Sequence, residues 1–306
     1  RAGPGSGISR PPSLAWPGRG ILRWVPTNDA ELALEHARIV RGKLAQPGLA
    51  HVGGNAPPAR RLAPRQRHQL GRASLPVESI PSDAFAVISH NHYDHLDAGT
   101  IDALPESVEW FVPRGLADWF RERGRPNVRE LGWWESATRG RWKLTCLPSQ
   151  HWSRRLGQGE NETLWCAWLL ESPEHRYFFA GDTGYFHGFA EFGRRYPGID
   201  AALLPIGAYA PRWFMNFQHM DPAEAYQAFR DLAASHLFAM HWGTFDLTDE
   251  PPGHPPTELR QVIERDGLDP RPVRVLAVGE RFVLREPARE AESHDPPRSR
   301  GPVGGS

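Results

Sequence analysis

The feature that most constrains this chain is a short apolar run, Phe85-Ala86-Val87-Ile88-Ser89, that leads straight into His90-Asn91-His92-Tyr93-Asp94-His95. A run of this length and composition reads as a buried strand, so the spacing H-x-H-x-D-H stands at a strand's C-terminal end. In a chain with 14 histidines, the pattern arises by chance on the order of once in a thousand such sequences. Residues i and i+2 project the same way from an extended segment. His90 and His92 can therefore hold one metal ion, while Asp94 and His95, on the next turn, can hold a second. A polar surface loop is the bland alternative, but it leaves unexplained why a buried-type strand presents all four residues together.

Two ions need further ligands, and three later strand ends offer them. His151 follows Leu147-Pro148-Ser149-Gln150, Asp182 follows Phe178-Phe179-Ala180-Gly181, and His241 follows Ala239-Met240. Each alone would more often be an ordinary loop residue; their common placement favours ligands. His219 has no clear strand before it and is expected either to touch the substrate or leaving group, or to cap the helix that begins at Asp221. Imidazole and carboxylate donors without thiolate suit zinc best, with iron or manganese as alternatives. With Asp182 between them, two ions roughly 3.5 to 4 Å apart would share a water that loses its proton near neutral pH and attacks in line. That chemistry predicts hydrolysis.

Elsewhere the chain alternates strands and helices. Strands are expected over 85–89, 108–112, 143–147, 163–170, 176–180, 200–204, 237–240, 273–276 and 281–284, and helices over 98–104, 115–123, 221–235 and 257–265, with Gly184 and Gly188 marking a loop. The helix at 221 is the clearest, because Asp221, Pro222 and Glu224 supply the cap, the preset first turn and the box partner. This is an α/β rhythm.

Net charge is zero, yet residues 1–80 hold 12 Lys and Arg against 4 Asp and Glu, which leaves the remainder at −8. An acidic metal-bearing part opposes a nucleic-acid partner. No aromatic residue lies between Trp24 and Phe85, whereas ten of the twelve tryptophans fall from Trp110 to Trp242, so the core-forming pattern begins near Phe85. The longest apolar run, 164–170, has strand length, and no transmembrane helix is expected. Cys146 and Cys166 form no C-x-x-C pair and read as structural residues of a reducing compartment. The chain opens on Arg1 without a signal-type apolar core. The expected location is cytoplasmic, with peripheral contact to a membrane as an option.

At these residues the chain resembles the metallo-β-lactamase superfamily. Stretches 88–97, 148–152, 179–185, 205–209 with 211–215, and 241–245 are similar to its N-acylphosphatidylethanolamine-hydrolysing phospholipase D family. The resemblance covers about residues 80–286 and implies a four-layer αββα sandwich with the site at one edge. It also implies two zinc ions, His90, His92 and His151 on one, Asp94, His95 and His241 on the other, and Asp182 between them. The implied reaction cleaves the phosphodiester of a phospholipid on its ethanolamine side. For such a reaction Asp94 is expected to orient the attacking water and His219 to contact phosphate or leaving oxygen. Tyr93, Gln218 and Trp213, within or beside these stretches, are the candidate substrate contacts.

One departure stands out. The family carries, ahead of the H-x-H-x-D-H strand, a hairpin with Gly-His-Ala-Thr and Thr-Asp-Pro type segments, and residues 25–84 contain neither. Residues 41–76 are Arg/Pro/Gly/Ala-rich and free of acids, and are expected to be a frameshifted or deleted translation of that hairpin, which would leave one sheet with an open edge. The expected organisation is an atypical basic, partly disordered region over 1–79, the hydrolase domain over 80–286, and a disordered tail over 287–306. The competing functions are a lactonase or thioesterase on the same fold, or an inactive relative. A di-iron redox protein would usually show Glu where His92 stands.

Overall fold

The structure is a computed structural model that describes residues 21–23, 77–277 and 280–284. Two sheets face each other. The first has the order β1 (Ile21–Arg23), β2 (Phe85–Ile88), β3 (Glu109–Pro113), β4 (Val128–Leu131); β1 runs antiparallel to β2, and the other pairs are parallel. Helices α1 (Ala98–Ala103) and α2 (Ala117–Glu122) lie between the parallel strands in sequence.

The second sheet has seven strands. In sequence they are β5 (Ser136–Arg139), β6 (Trp142–Leu147), β7 (Ala167–Glu171), β8 (Arg176–Phe179), β9 (Ala201–Pro205), β10 (His236–Met240) and β11 (Val273–Arg274), and they lie side by side in that order. β5 to β8 form an antiparallel meander and β8 to β11 are parallel. Helices α3 (Gly188–Arg195), α4 (Arg212–Met215), α5 (Pro222–Asp231) and α6 (His254–Arg265) complete it.

The layering follows from the period of two along a strand. In β2, Phe85 and Val87 face inward, where they meet Leu144, Trp168, Phe179 and Phe238 of the second sheet. Ala86 and Ile88 face the other way and pack with Ile101, Leu116 and Phe120 of the helical side. The second sheet repeats the scheme: Leu169, Phe178, Ala202 and Leu237 bury against Phe189, Phe192, Ala225 and Leu259 of the helices. Strands buried on both faces carry continuous apolar runs, which is why β2, β9 and β10 are legible in the sequence. The result is a helix-sheet-sheet-helix sandwich of four layers, as the resemblance implied.

Several local expectations need correction. The strand expected over 163–170 is Ala167–Glu171; the residues before it form an irregular crossing in which Leu164 N donates to Arg114 O and Cys166 N to Ser89 O. Gly188 opens a helix instead of marking a loop, because Phe189 and Phe192, three apart, share the buried face of α3 while Arg194 and Arg195 occupy its last turn. β4 and the edge strand β5 have polar, half-exposed sequences and escape a search for apolar runs. Residues 281–284 are not a strand, although Leu284 is buried between the sheets. β1 pairs along β2, and the hairpin expected to be missing or altered falls on residues outside the described ones. The proposed frameshift at 41–76 and the tail from 287 lie outside the described residues. Cys146 and Cys166 are free and buried, and burial pushes the Cys166 thiol up.

Candidate metal centre

Strand direction gathers the site. β6, β8, β9 and β10 all run the same way, so the residues that follow β6, β8 and β10 emerge at one edge of the sheet. The end of β2 is tied to that edge by the bond from Cys166 N to Ser89 O at 3.0 Å, and by Trp168 Nε1 donating to Ile88 O at 2.9 Å. His90, His92, Asp94 and His95 follow β2; His151, Asp182 and His241 follow β6, β8 and β10.

Asp182 is fully buried, and its Oδ2 lies 3.0 Å from His241 Nε2, 3.5 Å from His95 Nε2 and 3.7 Å from His219 Nδ1. His95 Nε2 is also 3.2 Å from Asp94 Oδ2. The rings of His90 and His92 are 4.5 Å apart and those of His151 lie about 6 Å from both. Burial alone would push the Asp182 carboxyl up, but the neighbouring His241 and His95 imidazoles outweigh it and hold the group below the usual carboxylate range.

Two sets of donors each lie within 4.8 Å of one another: Asp94, His95 and His241, and His151, Asp182 and His219. Asp182 Oδ1 accepts no hydrogen bond among the described residues, an arrangement that is costly for a buried carboxylate unless a cation sits beside it. Nitrogen and oxygen donors without thiolate, converging on such an oxygen, fit a divalent metal centre.

Neighbouring groups orient the donors. His151 Nδ1 donates to Gln218 O at 3.0 Å, which sets the tautomer that leaves Nε2 for a metal. Gln150 donates from Nε2 to Phe217 O and from its backbone N to Thr183 Oγ1, binding the segment before α5 to the loop after β8. His241 has φ of 59°, a left-handed turn uncommon outside glycine, and it reverses the chain at the end of β10 so that its ring meets Asp182.

The sequence candidates fall into three groups. The seven expected ligands and His219 meet in one buried cluster. Asp221 and Glu224 make the capping box of α5, and the ring of His219 instead stands edge-on to His151 at 4.8 Å. Gln218 acts through its carbonyl. A cleft of about 710 Å³ opens between His92, Asp94, Trp152, Arg154, Leu156 and Glu160. Tyr93 lines the cleft, half-exposed, and its hydroxyl accepts from Leu156 N, whereas Trp213 does not line it and is 82% exposed on α4, its ring against Phe214.

Three supporting residues had no signal of short range. Arg155 donates to carbonyls of the 91–96 segment. Arg212 donates from Nη1 to His219 O at 2.8 Å and pairs with Glu224. Glu250 accepts from the backbone N–H of Ala208, Tyr209 and Ala210. The partners of Arg155 and Glu250 are distant in sequence, and those of Arg212 lie 7 and 12 residues on.

A four-layer sandwich with these donors at one sheet edge is the framework of a metal-dependent hydrolase. The chain belongs to the beta-lactamase superfamily domain family, whose model matches residues 55–242. It is 35% identical to N-acyl-phosphatidylethanolamine-hydrolyzing phospholipase D 1 of Caenorhabditis elegans, over 62% of this chain and 57% of that protein. It is 34% identical to the mitochondrial N-acyl-phosphatidylethanolamine-hydrolyzing phospholipase D of Saccharomyces cerevisiae, over 64% and 44%. The chain thus spans about half the length of these curated relatives. Its fold is similar to that of a metallo hydrolase from the archaeon Ignicoccus hospitalis, with TM-score 0.51 and 23% identity, covering 66% of this chain and 79% of that one.

Proposed function

We propose that this chain is a zinc-dependent phosphodiesterase that hydrolyses N-acylphosphatidylethanolamine to an N-acylethanolamine and phosphatidic acid. The observation that carries the reading is the 34–35% identity to two phospholipases of that name in a chain whose imidazole and carboxylate donors converge on Asp182. Two zinc ions held by His90, His92 and His151, and by Asp94, His95 and His241, with Asp182 between them, would acidify a water and neutralise phosphate charge. Water oxygen bonds to phosphorus, the bond to the ethanolamine oxygen breaks, and that oxygen leaves with a proton. Asp94 accepts a hydrogen bond from the attacking water, and His219 contacts the phosphate or the leaving oxygen.

The cleft walled by Trp152, Leu156 and Tyr93 receives the substrate beside His92 and Asp94. On α4 and just after it, Trp213, Phe214 and Phe217 are 82%, 59% and 47% exposed. Exposed aromatics clustered next to a site mark a contact surface, and here they would rest on the lipid surface that supplies the substrate. No helix among the described residues is long and apolar enough to cross a membrane. The catalytic domain is assigned to 80–286.

The test is hydrolysis of N-acylphosphatidylethanolamine by the full chain and its Asp182→Ala variant, with a lactone and a thioester as alternative substrates. Turnover of the phospholipid that Asp182→Ala abolishes is the expected result. Turnover confined to the lactone or thioester, or activity retained by the variant, would overturn it.

A further inference from the structure

Arg155 is a buried cation that the reaction above does not use. It is 8% exposed, and no carboxylate pairs with it among the described residues. Burial pushes its guanidinium down from the ordinary value, yet the group stays charged at any pH at which the protein folds. The Asp97 carboxylate acts on it only through space, without a direct ion pair, and removing a charge from water without a contacting counter-ion opposes folding, so its placement calls for a compensating role.

What it holds is the donor loop. Arg155 Nη1 donates to Asn91 O at 2.9 Å and to Leu96 O at 2.7 Å, the two residues that bracket His92, Asp94 and His95. Its guanidinium lies 4.3 Å from the ring centre of Tyr93, inside the same loop, and 5.0 Å from that of Trp119. Two further bonds join the same strips of chain: Leu156 N donates to Tyr93 Oη at 3.0 Å, and Asn91 Nδ2 to Gln158 Oε1 at 2.9 Å. Segment 91–96 is neither strand nor helix. Its internal backbone bonds run to one carbonyl, that of His92, from His95 N and Leu96 N. With no ladder or helix to hold it, the loop takes its shape in part from the groups bonded at its ends.

We propose that Arg155 is a positioning residue for the metal centre, fastening both ends of the 91–96 loop so that His92, Asp94 and His95 present their donors in a fixed relation. It acts through the loop backbone. The inference rests on the reading of the cluster as a metal site.

The test is zinc affinity by chelator competition, with thermal unfolding of the metal-free proteins alongside, for the full chain and three variants. Arg155→Met removes the bonds and the charge. Arg155→Lys keeps a cation that can reach one carbonyl but loses the planar group over Tyr93. Ile263→Ala, buried in α6 on the far helical layer, supplies general destabilisation without touching the loop. Arg155→Met is expected to lower zinc affinity by about ten- to a hundredfold, Arg155→Lys to fall between it and the parent, and Ile263→Ala to bind zinc as the parent does. Parent-like affinity in Arg155→Lys overturns the proposal, and does so even where Arg155→Met fails to fold. So does an equal loss of affinity in Ile263→Ala at the same loss of thermal stability. A parent chain that binds no zinc overturns the metal reading itself, which the unsubstituted protein reports separately.

Discussion

A single methyl group at position 207 tests how closely the site is built. A Cβ added to Gly207 would stand 2.2 Å from the carbonyl oxygen of His241 and 3.3 Å from Trp242 Cα. Real Cβ atoms do not approach oxygen below 3.0 Å, so β9 or the turn at His241 must give way by about 1 Å, and both are backbone. Overpacking of this kind costs about 1–3 kcal/mol of stability. Its effect on the reaction is larger, because a misplacement of about 1 Å in a catalytic group costs on the order of a hundredfold in rate, or about 2.7 kcal/mol of barrier. Gly207→Ala is therefore expected to lower kcat/KM for the phospholipid about a hundredfold while the protein stays folded. Gly253→Ala, where the added atom meets nothing within 4 Å, should leave kcat/KM unchanged. The assay is steady-state hydrolysis with thermal unfolding run in parallel. Gly207→Ala with parental kcat/KM would refute the claim that the turn at His241 has no slack.

Further tests address other parts of the account. Gly184→Ala, whose Cβ would stand 2.3 Å from Phe217 O and 2.5 Å from Gln150 Nε2, should displace the segment carrying His219, and a fall in kcat would show it. Asp221→Ala removes the side-chain cap of α5 and should cost about 1 kcal/mol, a drop of about 2–4 °C in Tm. Trp213→Glu should weaken binding to phospholipid vesicles, measured by sedimentation; unaltered binding would remove α4 from the lipid-facing surface. The Tyr185 hydroxyl donates to Asp231, a bond that pushes its pKa up to about 12. Its folded pKa is raised, so its contribution to stability is complete below the ordinary tyrosine value of about 10 and is lost as pH rises from there to about 12. Tyr185→Phe should lose stability less steeply across that window in alkaline unfolding.

How much the sequence disclosed depended on the range of the interactions. His90, His92, Asp94 and His95 sit within six residues and follow a strand buried on both faces, so local pattern alone exposes them. His151, Asp182 and His241 are legible because each follows an apolar strand, and the sheet turns equal direction into common position. His219 lacks such a strand; its place depends on Arg212 and on Gln150 across the fold, which no local pattern encodes. Arg155 is harder still. In sequence it is one of two adjacent arginines, Arg154 and Arg155, before Gly157 and Gly159, and only its place against Tyr93 and Trp119 distinguishes it. β4 and β5 carry no apolar run for a related reason: their residues are largely exposed or half-exposed, and pairing with β3 and β6 makes them strands. Gly188 misled because a glycine can punctuate a chain or relieve crowding, and at this position a Cβ would strike the Phe186 ring.

Hydrolysis at phosphorus is tested by running the zinc-loaded chain on N-acylphosphatidylethanolamine in heavy-oxygen water and weighing both products. The account predicts one heavy oxygen in phosphatidic acid and none in the N-acylethanolamine. Label in the N-acylethanolamine, or a lysophospholipid and free fatty acid in place of these products, would contradict it.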